Sequence, residues 1–148
     1  MDHRDSYYVA IKLFLRDGAG RLLIIKDRFG EWDLPGGRSR ENDFETPLPD
    51  VAERKAREEL GSDVSYELDE PAVFMRHERD ELLPEGSREK RRIFAIGYNA
   101  RYTGGGFKLG NGHERYEWVD ISTFDPEKYF TGGWLLGIKE YQARVART

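Results

Sequence analysis

Trp32-Asp33-Leu34-Pro35-Gly36-Gly37, followed after a polar stretch by Arg54-Lys55-Ala56-Arg57-Glu58-Glu59-Leu60-Gly61, is the part of this chain whose reading decides the fold. The first segment is a loop, and Gly36-Gly37 lets backbone approach a ligand closely because no Cβ is in the way. The second predicts a helix from about Asp50 to Leu60. Asp50 suits an N-cap, and Glu53 three residues on completes a capping box. Gly61 suits the C′ position. Ala52, Ala56 and Leu60 give that helix a narrow apolar stripe. Positions 55, 58 and 59 then share one side of it. Residues 41–49, with Pro47 and Pro49, are expected to form an extended connection.

Upstream, Tyr7–Leu15 reads as a buried strand and Arg21–Lys26 as its return, joined by an Asp17-Gly18 turn. Residues 27–40 form a loop region. Downstream, 64–68, 72–79, 92–102 and 116–119 read as strands, with a charged loop over 79–91 and a glycine-rich loop over 103–112. From Gly133 on, Trp134, Leu135, Ile138, Tyr141 and Val145 have helical spacing. No repeat or linker interrupts the chain, so 1–148 is expected to be one α+β domain.

Composition narrows the class. Of 148 residues, 24 are Lys or Arg and 28 Asp or Glu, giving −4, and 13% are aromatic. Disordered chains lack that aromatic content. With no cysteine, disulfides, thiolate zinc sites and thiol catalysis are excluded. No run approaches the ~20 apolar residues that cross a bilayer. The start, Met1-Asp2-His3-Arg4-Asp5, has no apolar core of the secretory kind. A cytoplasmic protein without a membrane partner is the expectation, and the mild acidity makes nucleic acid an unexpected partner.

The Leu34-Pro35-Gly36-Gly37 loop and the Arg54…Glu58-Glu59-Leu60-Gly61 helix together resemble the signature of the Nudix hydrolases. That pattern is Gly, five residues, Glu, seven residues, then Arg-Glu-apolar-x-Glu-Glu-x-Gly-apolar. Trp118-Val119-Asp120 and the C-terminal helix extend the resemblance over most of the chain. It implies a Nudix-type α/β/α sandwich with a mixed central sheet across 1–148. It also implies hydrolysis of the pyrophosphate of a nucleoside diphosphate derivative with Mg²⁺ or Mn²⁺, a nucleotide-type small-molecule substrate, and compatibility with a homodimer. The chemistry agrees: a pyrophosphate needs cations to neutralise its oxygens and a positioned water. Mg²⁺ takes oxygen ligands and keeps several waters, so a few carboxylates suffice.

The sequence departs from the pattern twice. Sixteen residues separate Gly37 from Arg54, against thirteen in the signature. Counting back from Arg54 lands at Thr46, beside Glu45, so the resemblance implies a structural Glu45–Arg54 ion pair. Lys55 stands where the family has its first metal-binding glutamate. A protonated lysine has no lone pair for a metal. Three readings stay open: a weaker metal site through Glu58, Glu59 and a loop carboxylate; a lysine that itself contacts phosphate; or a domain that binds nucleotide without hydrolysis.

By resemblance, Glu58 and Glu59 are catalytic and metal-binding residues, and Glu114 is the further loop carboxylate, with Glu117 second. His113 is a lesser acid–base candidate. Gly36, Gly37, Arg38, Phe29 and Lys55 are the substrate-binding candidates. Arg38 sits well for phosphate, and Phe29 for stacking a base. The basic run Arg88-Glu89-Lys90-Arg91-Arg92 reads first as a charged hairpin tip. Gly104-Gly105-Gly106 fails the G-x-G-x-x-G test, since 109 is Leu, and reads as a flexible loop.

Overall fold

The computed structural model describes residues 3–147; Met1, Asp2 and Thr148, and with them the outer limits of the expected domain, lie outside the described residues. The elements run β1 (Tyr8–Arg16), β2 (Arg21–Asp27), β3 (Trp32–Asp33), β4 (Gly36–Arg38), α1 (Leu48–Leu60), β5 (Ser65–Leu82), β6 (Arg88–Gly104), β7 (His113–Asp120) and α2 (Gly132–Ala146). The seven strands form one mixed sheet in the order β3-β2-β1-β6-β5, with β4 added to β1 and β7 to β2. Among the described residues, only β1 and β6 pair in parallel. A mixed sheet between two helices is the expected architecture.

Alternation along β1 and β2 supplies both faces. Ile11, Leu13, Leu15, Leu23 and Ile25 pack with Val51, Ala52, Ala56 and Leu60 of α1. Ala10, Phe14, Leu22 and Ile24 pack with Ile138 and Tyr141 of α2. Covered on both sides, these strands read as continuous apolar runs instead of alternating ones. Eight of their side chains, Ile11, Leu13, Phe14, Leu15, Leu22, Leu23, Ile24 and Ile25, are wholly buried. At roughly 1.5–3 kcal/mol each, this pair of strands is the rigid centre of the molecule.

The sheet splits beside that centre. β1 and β2 pair at Arg16↔Leu22 and then diverge. In the gap, β3 bonds to β2 and β4 bonds to β1. The Leu13 N–H also donates to the Pro35 carbonyl at 2.8 Å. The Leu34-Pro35-Gly36-Gly37 loop is therefore wedged between two arms of the sheet and held by both. A Cβ on Gly36 would sit 1.9 Å from the Ile11 carbonyl oxygen, and its φ is +135°. Only glycine fits there.

Three expectations change. The helix starts at Leu48 behind Pro47, with Pro49 in its first turn and no side-chain cap. Proline lacks the N–H that a cap would satisfy, so Asp50 sits inside the first turn, where the helix dipole favours an acid. Glu53 pairs with Arg57 at 2.8 Å instead of completing a capping box. The strands expected at 64–68, 72–79 and 92–102, and most of the charged loop between them, form one long ribbon of β5 and β6 that turns at Leu83–Ser87. Its opposite charges pair across the strands, as in Arg92–Glu78 at 3.1 Å and Arg91–Glu81 at 3.3 Å. Finally, the 103–112 loop closes α1: Lys108 and Gly110 N–H groups donate to the Leu60 and Glu59 carbonyls at 2.9 and 3.0 Å. These are orphan acceptors of a helix C-terminus.

Candidate active site

The face of α1 over the wedge carries Lys55, Glu58 and Glu59. Glu59 is buried, and its Oε1 accepts the Gly36 N–H at 2.7 Å. Its Oε2 lies 3.8 Å from His113 Nδ1. Burial raises its pKa to about 6, against the opposing pull of Lys12, the Gly36 N–H and His113, with Asp33 adding to the rise. Glu58 is half-buried, 3.6 Å from Arg54 Nε and 3.4 Å from Asn111 Nδ2. The glycine-rich loop thus delivers Asn111, and the start of β7 His113, to the pair of glutamates.

Lys55 is 6% exposed. Its side chain lies along Gly37: a Cβ on that glycine would be 3.4 Å from Lys55 Cδ and 3.7 Å from Nζ. Burial lowers its pKa, with nearby Arg40 pushing the same way and Glu58 opposing. The Lys55 ammonium makes no hydrogen bond or salt bridge among the described residues.

Arg54 pairs with Asp43 and not with Glu45. The guanidinium reaches both Asp43 oxygens, at 2.6 and 2.8 Å, and the Arg40 N–H donates to Asp43 at 2.8 Å. These bonds, led by Arg54, hold the Asp43 carboxyl well below the usual range. Glu45 is exposed. Counting five residues forward from Gly37 lands on Asp43, with Asp in place of Glu, so the three extra residues fall between Asp43 and Arg54. That spacing was the signal available in the sequence. Asp43→Ala should lower the melting temperature by several degrees, since Arg54 and the Arg40 N–H lose their partner, whereas Glu45→Ala should leave it unchanged. Thermal unfolding of the two variants checks this; equal shifts would contradict it.

The other candidates are more scattered. Glu114 is exposed on β7, and Glu117 is bonded to Arg115 at 2.7 Å. Among the described residues no three acidic or histidine side chains converge as a metal-holding group. The expected triad of Glu58, Glu59 and Glu114 is therefore not assembled: Glu114 is exposed at the start of β7, where its register with β2 shifts. Arg38 is salt-bridged to Glu81 on β5 and covers the Tyr8 ring at 5.4 Å. Phe29 is 79% exposed in the turn between β2 and β3, with Arg28 over its ring.

The structure adds Lys12 and Tyr129, which the sequence did not single out, beside Trp32, Asp33 and Trp134. Lys12, buried on β1, bonds both Asp33 oxygens at 2.9 Å and lies 5.2 Å from the centroid of the Trp134 ring. His77 stacks on Trp134 at 4.6 Å and accepts the Gly133 N–H. Trp32, Asp33, His77, Tyr129 and Trp134 line a cleft of about 530 Å³. Lys12 and Asp33 are 21 positions apart, so no local pattern announces the pair.

A wedge loop of two glycines, a helix whose buried glutamate accepts an N–H from that loop, and an acid–arginine pair behind them are the parts of one signature brought together. The family model for the NUDIX domain matches residues 6–134. The chain belongs to the NUDIX family. Among solved structures, the MutT protein from Methanosarcina mazei Go1 has a TM-score of 0.70 at 20% identity, the match covering 99% of this chain and 100% of that one. An ADP-ribose pyrophosphatase from Streptococcus suis 89-1591 has a TM-score of 0.64 at 13% identity, over 97% and 94%. The NUDIX domain of Shewanella oneidensis NrtR, complexed with ADP ribose, has a TM-score of 0.61 at 14% identity, over 96% and 90%. No curated protein matches the chain. Its fold is the Nudix fold, and no helix among the described residues is long and apolar enough to cross a membrane.

Proposed function

We propose that this chain hydrolyses the pyrophosphate of a nucleoside diphosphate derivative with a divalent metal, Mg²⁺ or Mn²⁺. The observation that carries the reading is Glu59: a buried carboxylate fixed by the Gly36 N–H at 2.7 Å, with its other oxygen directed toward His113. The donor set is incomplete for a resident metal, since Lys55 occupies the third position of the helix face. It fits a metal held jointly by Glu58, the free oxygen of Glu59 and the substrate's own phosphates, the usual way Mg²⁺ is bound in phosphoryl-transfer sites. Bound there, the ion would neutralise phosphate oxygens and acidify a water.

The chain's own residues orient the rest. The Gly36 N–H keeps Glu59 in place, and Gly37 lets the loop backbone lie against Lys55. Lys12 and Asp33 join this loop to the neighbouring cleft. Trp32, Tyr129 and Trp134 give that cleft aromatic walls for the nucleoside or its attached group. Arg38 reaches phosphate only by leaving Glu81. Assay of a panel of nucleoside diphosphate compounds with Mg²⁺ or Mn²⁺ tests the reading; no turnover on any of them in either metal overturns it. The alternative, a module that binds nucleotide without hydrolysis, is favoured by Lys55 alone. It predicts a melting temperature raised by nucleotide without product, with a stabilisation of about 2.7 kcal/mol at a hundredfold excess over Kd.

The buried carboxyl sets a pH dependence. Because the Glu59 pKa is raised, the folded protein keeps a proton between pH 4.5 and about 6 that the unfolded chain releases. This group's contribution to stability therefore falls as pH rises through that window, costing about 2 kcal/mol above it. For the metal-free protein, the Gly36 amide resonance should titrate with a midpoint near pH 6, and added Mg²⁺ should move that midpoint down. A midpoint near 4.5 would contradict the burial effect.

A further inference from the structure

We propose that Lys55 is a built-in cation: its ammonium, together with the Arg40 guanidinium, binds a phosphate oxygen of a diphosphate ligand, so that this chain takes diphosphates without a divalent metal. The proposal rests on the preceding reading only for the class of ligand. Lysine is almost never buried unless paired. Here the residue is 6% exposed and none of the neighbouring carboxylates pairs with it. Asp43 is taken by Arg54 and the Arg40 N–H, Glu59 by the Gly36 N–H, and Glu58 lies nearest Arg54 and Asn111.

The immediate surroundings carry both signs of charge, Glu58 and Asp43 favouring the charged lysine without bonding to it. Arg40 and Arg54 both disfavour the charged lysine, and the Arg40 side chain has no salt-bridge partner among the described residues. A buried charge without a directly bonded partner is costly, so an anion in contact with it stabilises the arrangement. Gly37 sets the contact: with no side chain there, the loop backbone runs directly beside the Lys55 stem and ammonium, so a ligand bound to that backbone would lie next to Nζ. Lysine binds phosphate as a point charge, and a diphosphate has enough oxygens to meet Lys55 and Arg40 at once.

The experiment is calorimetric titration of inorganic pyrophosphate and of ADP, in EDTA and again in Mg²⁺. The parent chain is expected to bind both in EDTA, with Kd within about threefold of that in Mg²⁺. Lys55→Gln should weaken EDTA binding roughly tenfold or more, the worth of a charge-assisted hydrogen bond. Lys55→Arg, which keeps the charge, should restore most of it, and Arg40→Gln should show a smaller loss than Lys55→Gln. Binding by the parent only when Mg²⁺ is present, no binding in either condition, or equal binding by parent and Lys55→Gln would overturn the proposal. The parent comparison needs no variant, so it stands even if a substitution impairs folding. Turnover with Mg²⁺ but no binding in EDTA would defeat this proposal and leave the hydrolase reading intact; metal-free binding without turnover would do the reverse.

Discussion

Lys55→Glu should convert the site into a tighter metal binder, with the Mg²⁺ concentration for half-maximal hydrolysis falling at least tenfold. Between Asp50 and Glu59, four acids oppose Arg54, Lys55 and Arg57, for a net −1; the substitution makes it −3. Unit charges ~4 Å apart interact by roughly 4 kcal/mol at an effective dielectric of 20, so Lys⁺ against a divalent ion at that distance would cost about 8 kcal/mol as an upper bound. Solvent at the mouth of the site and the lysine's own mobility reduce this severalfold. About 1.4 kcal/mol is enough for the tenfold change. The same variant should lose binding of pyrophosphate in EDTA. A Mg²⁺ dependence identical to that of the parent would show that position 55 does not govern the metal.

Glu59→Gln should lower kcat by roughly 10²- to 10⁴-fold, the range for loss of a positioned acid–base or charge-bearing group. The fold should not suffer. Glutamine's carbonyl oxygen still accepts the Gly36 N–H, and the desolvation that raises the Glu59 pKa to about 6 disappears with the charge. At pH 8 the variant should therefore be more stable than the parent, by up to about 2 kcal/mol, and the difference should vanish below pH 4.5, where both side chains are neutral. This opposite movement of activity and stability separates a functional carboxylate from a structural one. A variant that loses both together would indicate that Glu59 only holds the wedge loop.

How far the sequence reads depends on whether the relevant contact is local. The loop at Gly36-Gly37 and the helix ending in Gly61 are written in consecutive residues, so their identities and the family resemblance follow directly. Asp43 was missed because an insertion leaves two ways to count, and counting from the helix put the extra residues on the wrong side of the acid. Lys12 looks like a polar break in an apolar strand until Asp33 arrives from the wedge to meet it. The burial of Lys55 without a directly bonded counter-charge is likewise a property of packing. The β5–β6 ribbon failed for another reason: both its faces meet solvent over much of its length, so the apolar alternation that marks a strand is diluted by charges that pair across it.

Those charges have a second consequence. β5 is the outermost strand on its side of the sheet, 18 residues long, and such an edge is a template for pairing with another chain. Its register shifts between Leu68 and Val73, around Pro71, and beyond that it carries Arg76, Glu78, Arg79, Asp80 and Glu81. A proline, a break in regularity and a row of ions are the features that discourage edge-to-edge aggregation. The stretch that most resembles a loop in the sequence is therefore what lets so long a strand lie at the margin of the sheet without recruiting its neighbours.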